Sequence, residues 1–393
     1  MKILVVGISV RAMAESAVRS GYSVIALDAY GDQDLKDLTE SRSLRHDFHV
    51  PYSAASLYEK SGRLNFDSVA YTSNLENHPE IIRRFATQCR VIGNSPETIE
   101  SVRHWATLYE KLEAAGFRVP QTLFAGRRRE ADPARCWLIR PPLSGGGHGI
   151  AFLKRNKAPR DPFFLQEYIP GKPCSASFVA NGRECVILGI TAQLAGTPEF
   201  GAHGFRYCGN VLPLPEFLHP ETGVAILDHV RRLAGFLTRE HGLIGVNGID
   251  FILSGDQVWL TEVNPRFSAS MELVEQAYGL PVFRLHLQAV LECKLPDFNL
   301  AAQAAGGEFF GKAILFAEAE AVAPDTRKWT ARAIRDVPAP GEILPRGGPI
   351  CTILAACPTY EETLGAMIAQ AGKLRAEILP KNASLAGLPR GKF

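Results

Sequence analysis

The sequence predicts an α/β fold that opens with a parallel, open sheet and continues into a body built around an antiparallel hairpin. Over the first 94 residues, short runs of Val, Ile, Leu and Ala alternate with helical signals, the pattern of βαβ units on a parallel sheet. In residues 247–266, apolar and polar side chains alternate on both sides of a turn, the period-two signature of two paired strands. At 393 residues, 46% hydrophobic and 21% charged, the chain is long enough for two or three domains with substantial cores.

In chain order, residues 3–6 form the first strand, 12–20 a helix, and 23–27 a strand ending in Asp28. A helix near 57–62, a strand at 68–71, a helix at 79–87 and a short strand at 91–92 complete the layer. Its first turn, Gly7-Ile-Ser-Val-Arg-Ala, is not G-x-G-x-x-G, which argues against a dinucleotide site even though Asp28 lies about twenty residues on. Asp28, the loop Gly31-Asp32-Gln33-Asp34, and Ser73, Asn74, Glu76 and Asn77 fall at strand ends, where open α/β sheets place ligands.

Ser95-Pro96-Glu97-Thr98 reads as a helix start: an N-cap, proline at the first helical position, then an acid. A second helix, 107–115, stops at Gly116 and leads to a strand at 122–124. Residues 222–239 are an amphipathic helix with Val224, Leu227, Val230, Leu233, Ala234 and Leu237 inward. An Ala- and Gly-rich linker (299–307) leads to strand-like runs near 311–318 and 347–355, a helix near 361–374, and a loose tail.

The hairpin carries the densest chemistry. A three-residue loop at Gly255–Gln257 would set Asp250 opposite Glu262, and a slip of one residue would send one of them to the other face. Oxygen ligands from Asp250, Glu262 and Asn264 suit Mg²⁺, a hard ion that completes its shell from phosphates and water. Arg266 is placed to clamp a phosphoryl oxygen.

These residues resemble the metal strand of the ATP-grasp superfamily, an acid followed about a dozen positions later by E-x-N. Two further stretches resemble the family in the same order. Cys136-Trp-Leu-Ile-Arg140-Pro-Pro-Leu-Ser144-Gly145-Gly146-Gly147-His148-Gly149 is similar to its strand, cation and glycine-rich phosphate lid. Phe163-Phe-Leu-Gln166-Glu167-Tyr168-Ile169 is similar to the hinge strand whose backbone holds adenine. The resemblance covers roughly residues 1–375 and is nearest to the predicted carboligase branch, which is biotin carboxylase-like and related to carboxylate–amine ligases such as tyramine–glutamate ligase.

The resemblance implies a Rossmann-like pre-ATP-grasp domain at 1–94, an ATP-grasp nucleotide-binding domain at 95–298, a small β-rich C-terminal element at 299–378 and a tail at 379–393. It implies ATP and Mg²⁺ (or Mn²⁺) as cofactors, metal ligands Asp250, Glu262 and Asn264, and catalytic roles for Arg140 and Arg266. Nucleotide contacts would come from Arg103, Arg140, Ser144, Gly145, Gly146, Gly147, Gln166, Glu167, Tyr168 and Ile169. Arg140 departs from the family's usual Lys, Lys172-Pro173-Cys174 stands where relatives carry a ribose-holding Glu, and Gly248 stands where some ligases carry an Arg. The mixed aromatic and polar loop 199–213 reads as a substrate lid, with Arg206 as carboxylate clamp and His203 and Tyr207 as orienting groups.

The implied activity is an ATP-dependent carboxylate–amine ligase that forms an amide through an acyl phosphate, on an amino acid in small-molecule or cofactor biosynthesis. The alternatives are a bicarbonate-dependent carboligase and a non-catalytic nucleotide-binding regulator. There is no P-loop G-x-x-x-x-G-K-[ST]. A net charge of +2 and pI near 8.1 do not suggest a nucleic-acid surface. No apolar stretch approaches the ~20 residues that span a membrane. Eight cysteines without C-x-x-C spacing read as reduced thiols, mostly core filler, in a cytoplasmic protein. The expected partners are small-molecule carboxylate and amine substrates, with a homodimer as the candidate assembly.

Overall fold

The computed structural model describes residues 1–124, 126–154, 162–303 and 307–378. The expected tail, 379–393, lies outside these residues, as does part of the expected linker.

The N-terminal layer comprises β1 (Lys2–Val6), α1 (Arg11–Arg19), β2 (Ser23–Asp28), α2 (Gln33–Leu38), β3 (Glu40–Ser43), α3 (Ala54–Ser61), β4 (Ser68–Tyr71), α4 (Pro79–Ala86) and β5 (Arg90–Ile92). All its pairings are parallel, in the order β3-β2-β1-β4-β5. The winding reverses between β1 and β4, so the loops after these strands flank a crevice at the sheet's C-terminal edge. Gly7 is needed here: a Cβ on it would lie 2.9 Å from both the Ser73 carbonyl and Thr72 Oγ1. Sequence periodicity finds neither α2 nor β3, because Glu-Ser-Arg-Ser is an edge strand without apolar alternation.

α5 (Pro96–Arg103) starts as expected, with Ser95 Oγ accepting from the Thr98 N–H at 3.2 Å. α6 (Trp105–Ala114) leads into a small sheet of β6 (Thr122–Leu123), β7 (Trp137–Arg140), β8 (Ala151–Phe152) and β9 (Phe164–Glu167), in the order β6-β9-β7-β8. The main sheet begins with β10 (Lys172–Asn181), β11 (Cys185–Ala195) and β12 (Tyr207–Leu212), and resumes after α7 (Pro220–His241) with β13 (Ile244–Ser254) and β14 (Gln257–Asn264). α7 buries Leu227, Val230, Leu233, Ala234 and Leu237, whereas Val224 is exposed on its first turns, contrary to expectation.

After α8 (Met271–Tyr278), α9 (Val282–Glu292) and α10 (Leu300–Gln303) come β15 (Phe309–Phe316), β16 (Ala321–Val322), β17 (Ile334–Arg335), β18 (Ile343–Leu344), β19 (Pro349–Cys357) and α11 (Tyr360–Ile378). The C-terminal element is β-rich, but its main strands do not form a sheet of their own. They continue the antiparallel main sheet, in the order β14-β13-β10-β11-β12-β15-β19-β17, while β16 and β18 pair separately. Of the cysteines, Cys174, Cys208 and Cys351 are buried, Cys136 and Cys293 are exposed, and the rest are half-buried, so core filling describes only three.

His286 on α9 joins the two large sheets. Its Nδ1 accepts the Val246 N–H at 2.9 Å, and Nε2 donates to the Ile92 carbonyl at 3.1 Å. Burial pushes its pKa down to about 4. Because the unfolded chain takes up this proton first, the stabilisation is complete above the ordinary value near 6.5 and is lost as pH falls toward 4, by at most roughly 3 kcal/mol. Urea unfolding between pH 7 and 4.5 should therefore show a falling midpoint, with a shallower fall in His286→Gln. Equal slopes would remove His286 as the cause.

Candidate functional site

A cavity of about 1080 Å³ runs between the small sheet, the main sheet and the C-terminal edge of the parallel layer. Arg140, residues 144–149, Gln166–Ile169, Asp250, Glu262, Asn264 and Arg266 line one end. Ile8, Ser9, Tyr30, Asp32, Ser73, Asn74 and Glu76 line the other, together with Lys312 and Asp336 from the C-terminal segment.

The metal-type residues meet through a device the sequence conceals. The hairpin turns at Gly255-Asp256, with Ser254 paired to Gln257, a loop one residue shorter than expected. Continued without interruption, that register would set Asp250 opposite Thr261. A bulge between Asp250 and Phe251 restores the pairing of Asp250 with Glu262. The expected pairing is present, but the bulge produces it.

Glu262 is held between two guanidinium groups. Arg103 Nη1 donates to Oε1 and Arg140 Nη2 to Oε2, each at 2.7 Å. Burial acts to raise the Glu262 pKa, but these cations hold it below its ordinary value. Trp105 stacks under both, its ring 5.4 Å from the Arg103 guanidinium and 4.5 Å from that of Arg140. Gln166, paired with Tyr109, accepts from Arg140 Nη1 at 2.9 Å, so its side chain positions the arginine.

Asp250 lacks such a cation. It accepts from Gln193 Nε2 at 2.7 Å and Asn264 Nδ2 at 2.9 Å, and burial together with the Glu262 charge pushes its pKa up to about 7. Arg266 donates to Asn264 Oδ1 at 3.1 Å and to Glu76 at 2.7 Å, tying the hairpin to the loop after β4. Two carboxylates and an amide, one carboxylate short of positive charge, fit a hard cation that takes its remaining ligands from phosphates and water. Among the described residues no group of three or more His, Cys, Asp or Glu could hold a metal by itself. That leaves the amide and substrate oxygens to complete such a shell.

The glycine-rich lid rests on the 203–207 loop. The Tyr207 N–H donates to the Gly146 carbonyl at 2.9 Å, and a Cβ on Gly147 (φ +74°) would fall 1.8 Å from the Phe205 carbonyl. Phe152, Tyr168 and Phe205 close the rim, with ring centroids 5.1 to 6.4 Å apart. Ser144, Gly145, Gly146 and Gly147 all face the cavity. At the end of β9, the Glu167 and Tyr168 N–H groups are bonded to the Gln121 and Cys136 carbonyls, each at 2.8 Å.

Other expectations are redistributed. Arg103 reaches Glu262 but does not line the cavity. His203 is exposed and also lies off the cavity wall, so an orienting role is not supported; its carbonyl accepts the Arg206 N–H. Arg206 and Tyr207 do line it, Arg206 stacked 3.5 Å over Phe316 with Nη2 donating to the Gly347 carbonyl at 2.7 Å. Lys172 is paired with Glu216. Asp28 is fully buried and accepts the Tyr30 and Gly31 N–H groups, and Asn77 bonds to Arg103.

Lys312 and Glu272 were not found from the sequence. They form a buried pair that continues through Arg11 to Asp336. A lone lysine inside the apolar run Gly-Lys-Ala-Ile-Leu-Phe was the available signal.

Residues 104–270 match the family described as the ATP-grasp domain. The chain contains an ATP-grasp domain. An uncharacterized protein of Methanocaldococcus jannaschii is 23% identical over 377 residues, 90% of this chain and 88% of its own. Among solved structures, biotin carboxylase from Campylobacter jejuni, in complex with a βγ-ATP ligand, superposes with TM-score 0.68 at 13% identity, over 96% of this chain and 91% of that one. The L-amino acid ligase of Bacillus licheniformis gives 0.66 at 16% identity, over 96% and 98%. Pyruvate carboxylase of Rhizobium etli gives 0.72 at 13% identity over 96% of this chain, which spans only 37% of that longer one. The ATP-grasp fold thus extends well beyond the matched segment.

The arginine pair sets the cost of substitution in this site. Glu262→Gln strands two buried guanidinium groups and should lower stability by roughly 3 kcal/mol or more, whereas Asp250→Asn keeps the shape of a group already near neutrality and should leave the thermal midpoint within a few degrees. Equal midpoints for the two variants would contradict the division of charge.

Proposed function

We propose that the chain is an ATP- and Mg²⁺-dependent ligase that joins a carboxylate to an amine. One observation carries the reading: Asp250, Glu262 and Asn264 stand together with Arg140, Arg266 and a glycine-rich loop on the wall of a cavity of about 1080 Å³ that the parallel layer also lines, with Ser9, Asp32 and Asn74. The likeness to an L-amino acid ligase supports an amide product. We assign residues 1–94 to the acceptor side, 95–298 to nucleotide binding and 299–378 to closing the acceptor end.

In this reading Asp250, Glu262 and Asn264 would hold Mg²⁺, which would supply neutralisation of phosphate charge. The nucleotide lies between the small and main sheets, its base at the hinge near Ile169. A substrate carboxylate oxygen attacks the γ-phosphorus, the bond to the β-phosphate oxygen breaks, and ADP leaves. Arg140 and Arg266 compensate charge on the transferring phosphoryl group. The lid at 145–149, packed on Phe205, keeps water from the acyl phosphate. An amine attacks the acyl carbon, loses a proton, and phosphate departs with one oxygen of the original carboxylate.

With an amino-acid panel, ATP and hydroxylamine in place of the amine, a hydroxamate should form, and ¹⁸O-labelled carboxylate should deliver label to phosphate. The fold shared with biotin carboxylase supports one competing outcome. Label passing from bicarbonate into phosphate would establish the carboxylating reading. Nucleotide binding without ADP release under any acceptor would establish a non-catalytic role.

Gly147→Ala must place a side chain at positive φ against the Phe205 carbonyl. The positive φ alone costs ~1–2 kcal/mol and the 1.8 Å overlap adds to it, so the KM for ATP should rise roughly tenfold or more. An unchanged KM would show that the lid does not dock this way on nucleotide.

A further inference from the structure

The acceptor end contains one buried carboxyl group on the cavity wall with no hydrogen-bond or ion-pair partner among the described residues. Asp32 follows β2 at the crevice edge, is 8% exposed and lines the cavity. Its Oδ2 has no hydrogen-bond partner, its side chain does not cap α2, and among the described residues it makes no ion pair.

Its neighbours are engaged, save that Asp28 Oδ2 is likewise unpartnered but lies off the cavity wall. Asp34 accepts the Asp336 and Val337 N–H groups at 2.9 Å each, fastening the parallel layer to the C-terminal segment. Asp28 accepts the Tyr30 and Gly31 N–H groups. Asp336 and Glu272 share Arg11, and Lys312 is bonded to Glu272. With Glu15, which also accepts from Arg11 at 2.9 Å, six carboxylates (Asp28, Asp32, Asp34, Asp336, Glu272 and Glu15) neighbour two cations, Arg11 and Lys312. Burial raises the Asp32 pKa well above its ordinary value, and repulsion from Asp336, Asp28 and Asp34 adds to the shift. The other cations on this part of the wall are bonded elsewhere, Arg45 to Glu342 and Arg206 to the Gly347 carbonyl, and among the described residues no set of three His, Cys, Asp or Glu is placed to hold a metal. An organic cation with hydrogen-bond donors answers both conditions.

We infer that the acceptor substrate is a carboxylate that also bears a protonated amine, with the ammonium seated on Asp32 and the carboxylate directed along the same cavity toward Arg266 and the hairpin. Asp32 is then a specificity-determining residue, remote from the reacting atoms. The inference rests on the ligase reading and sharpens it: the ammonium recognised at Asp32 belongs to the molecule that is phosphorylated, not to the attacking amine.

The test uses the full-length protein with Mg·ADP, titrated with the twenty standard amino acids and with counterparts in which hydrogen replaces the α-ammonium, binding being read from the thermal unfolding midpoint. At least one amino acid should bind, its counterpart roughly 10- to 100-fold more weakly, the range lost with a hydrogen bond to a charged group. Asp32→Asn should abolish this discrimination while binding Mg·ADP as before, and Asp32→Ser, a residue equally suited to the position before α2, should do the same. The inference is overturned if amino acid and counterpart bind alike, if both variants keep the discrimination, or if no amino acid binds. Failure to bind Mg·ADP, or to form a hydroxamate from any carboxylate, would instead overturn the ligase reading, and this inference with it.

Discussion

The site depends on one buried ionic arrangement, Glu262 held between Arg103 and Arg140. The three side chains come from β14, α5 and β7, so the arrangement joins the hairpin to the helix that leaves the parallel layer and to the small sheet. A carboxylate with two guanidinium partners stays ionised when buried, and each guanidinium has a counter-charge that offsets its own desolvation. Trp105 beneath both restricts their orientation. Asp250, on the neighbouring strand, is left as the carboxylate in want of a cation.

A second buried network plays the matching part at the other end. Arg11, Glu272, Lys312 and Asp336 come from α1, α8, β15 and the segment after β17, and Asp34 adds backbone bonds to the same segment. The first and last parts of the chain are thereby drawn together around the cavity. The parallel layer contributes its switch-point loops and the C-terminal strands contribute a wall, which is why the main sheet runs on through β15 and β19. Asp32 stands out as a carboxyl group on the cavity wall with no hydrogen bond or ion pair among the described residues.

Much of this was legible in the sequence because it depends on local spacing. The alternation of strand and helix, the Ser95-Pro96 helix start, and Asp250, Glu262, Asn264 and Arg266 on one hairpin are all set by residues near one another in the chain. The glycine-rich loop at 145–149 and the strand at 164–167 were legible for the same reason. β3 was not, since a polar edge strand has no apolar periodicity, and Val224 was misplaced because the first turns of α7 project beyond the core.

By itself, the sequence determined the α/β class, the ATP-grasp motifs and the identity of the hairpin residues, because side-chain period and turn chemistry act over a few residues. Only the tertiary structure decided the bulge that sets Asp250 opposite Glu262, the use of Arg103 and Arg140 as counter-ions, the exposure of His203, and the recruitment of Lys312 and Glu272. Each of these depends on contacts between residues distant in the chain, where desolvation and close packing rather than local preference set which charges meet.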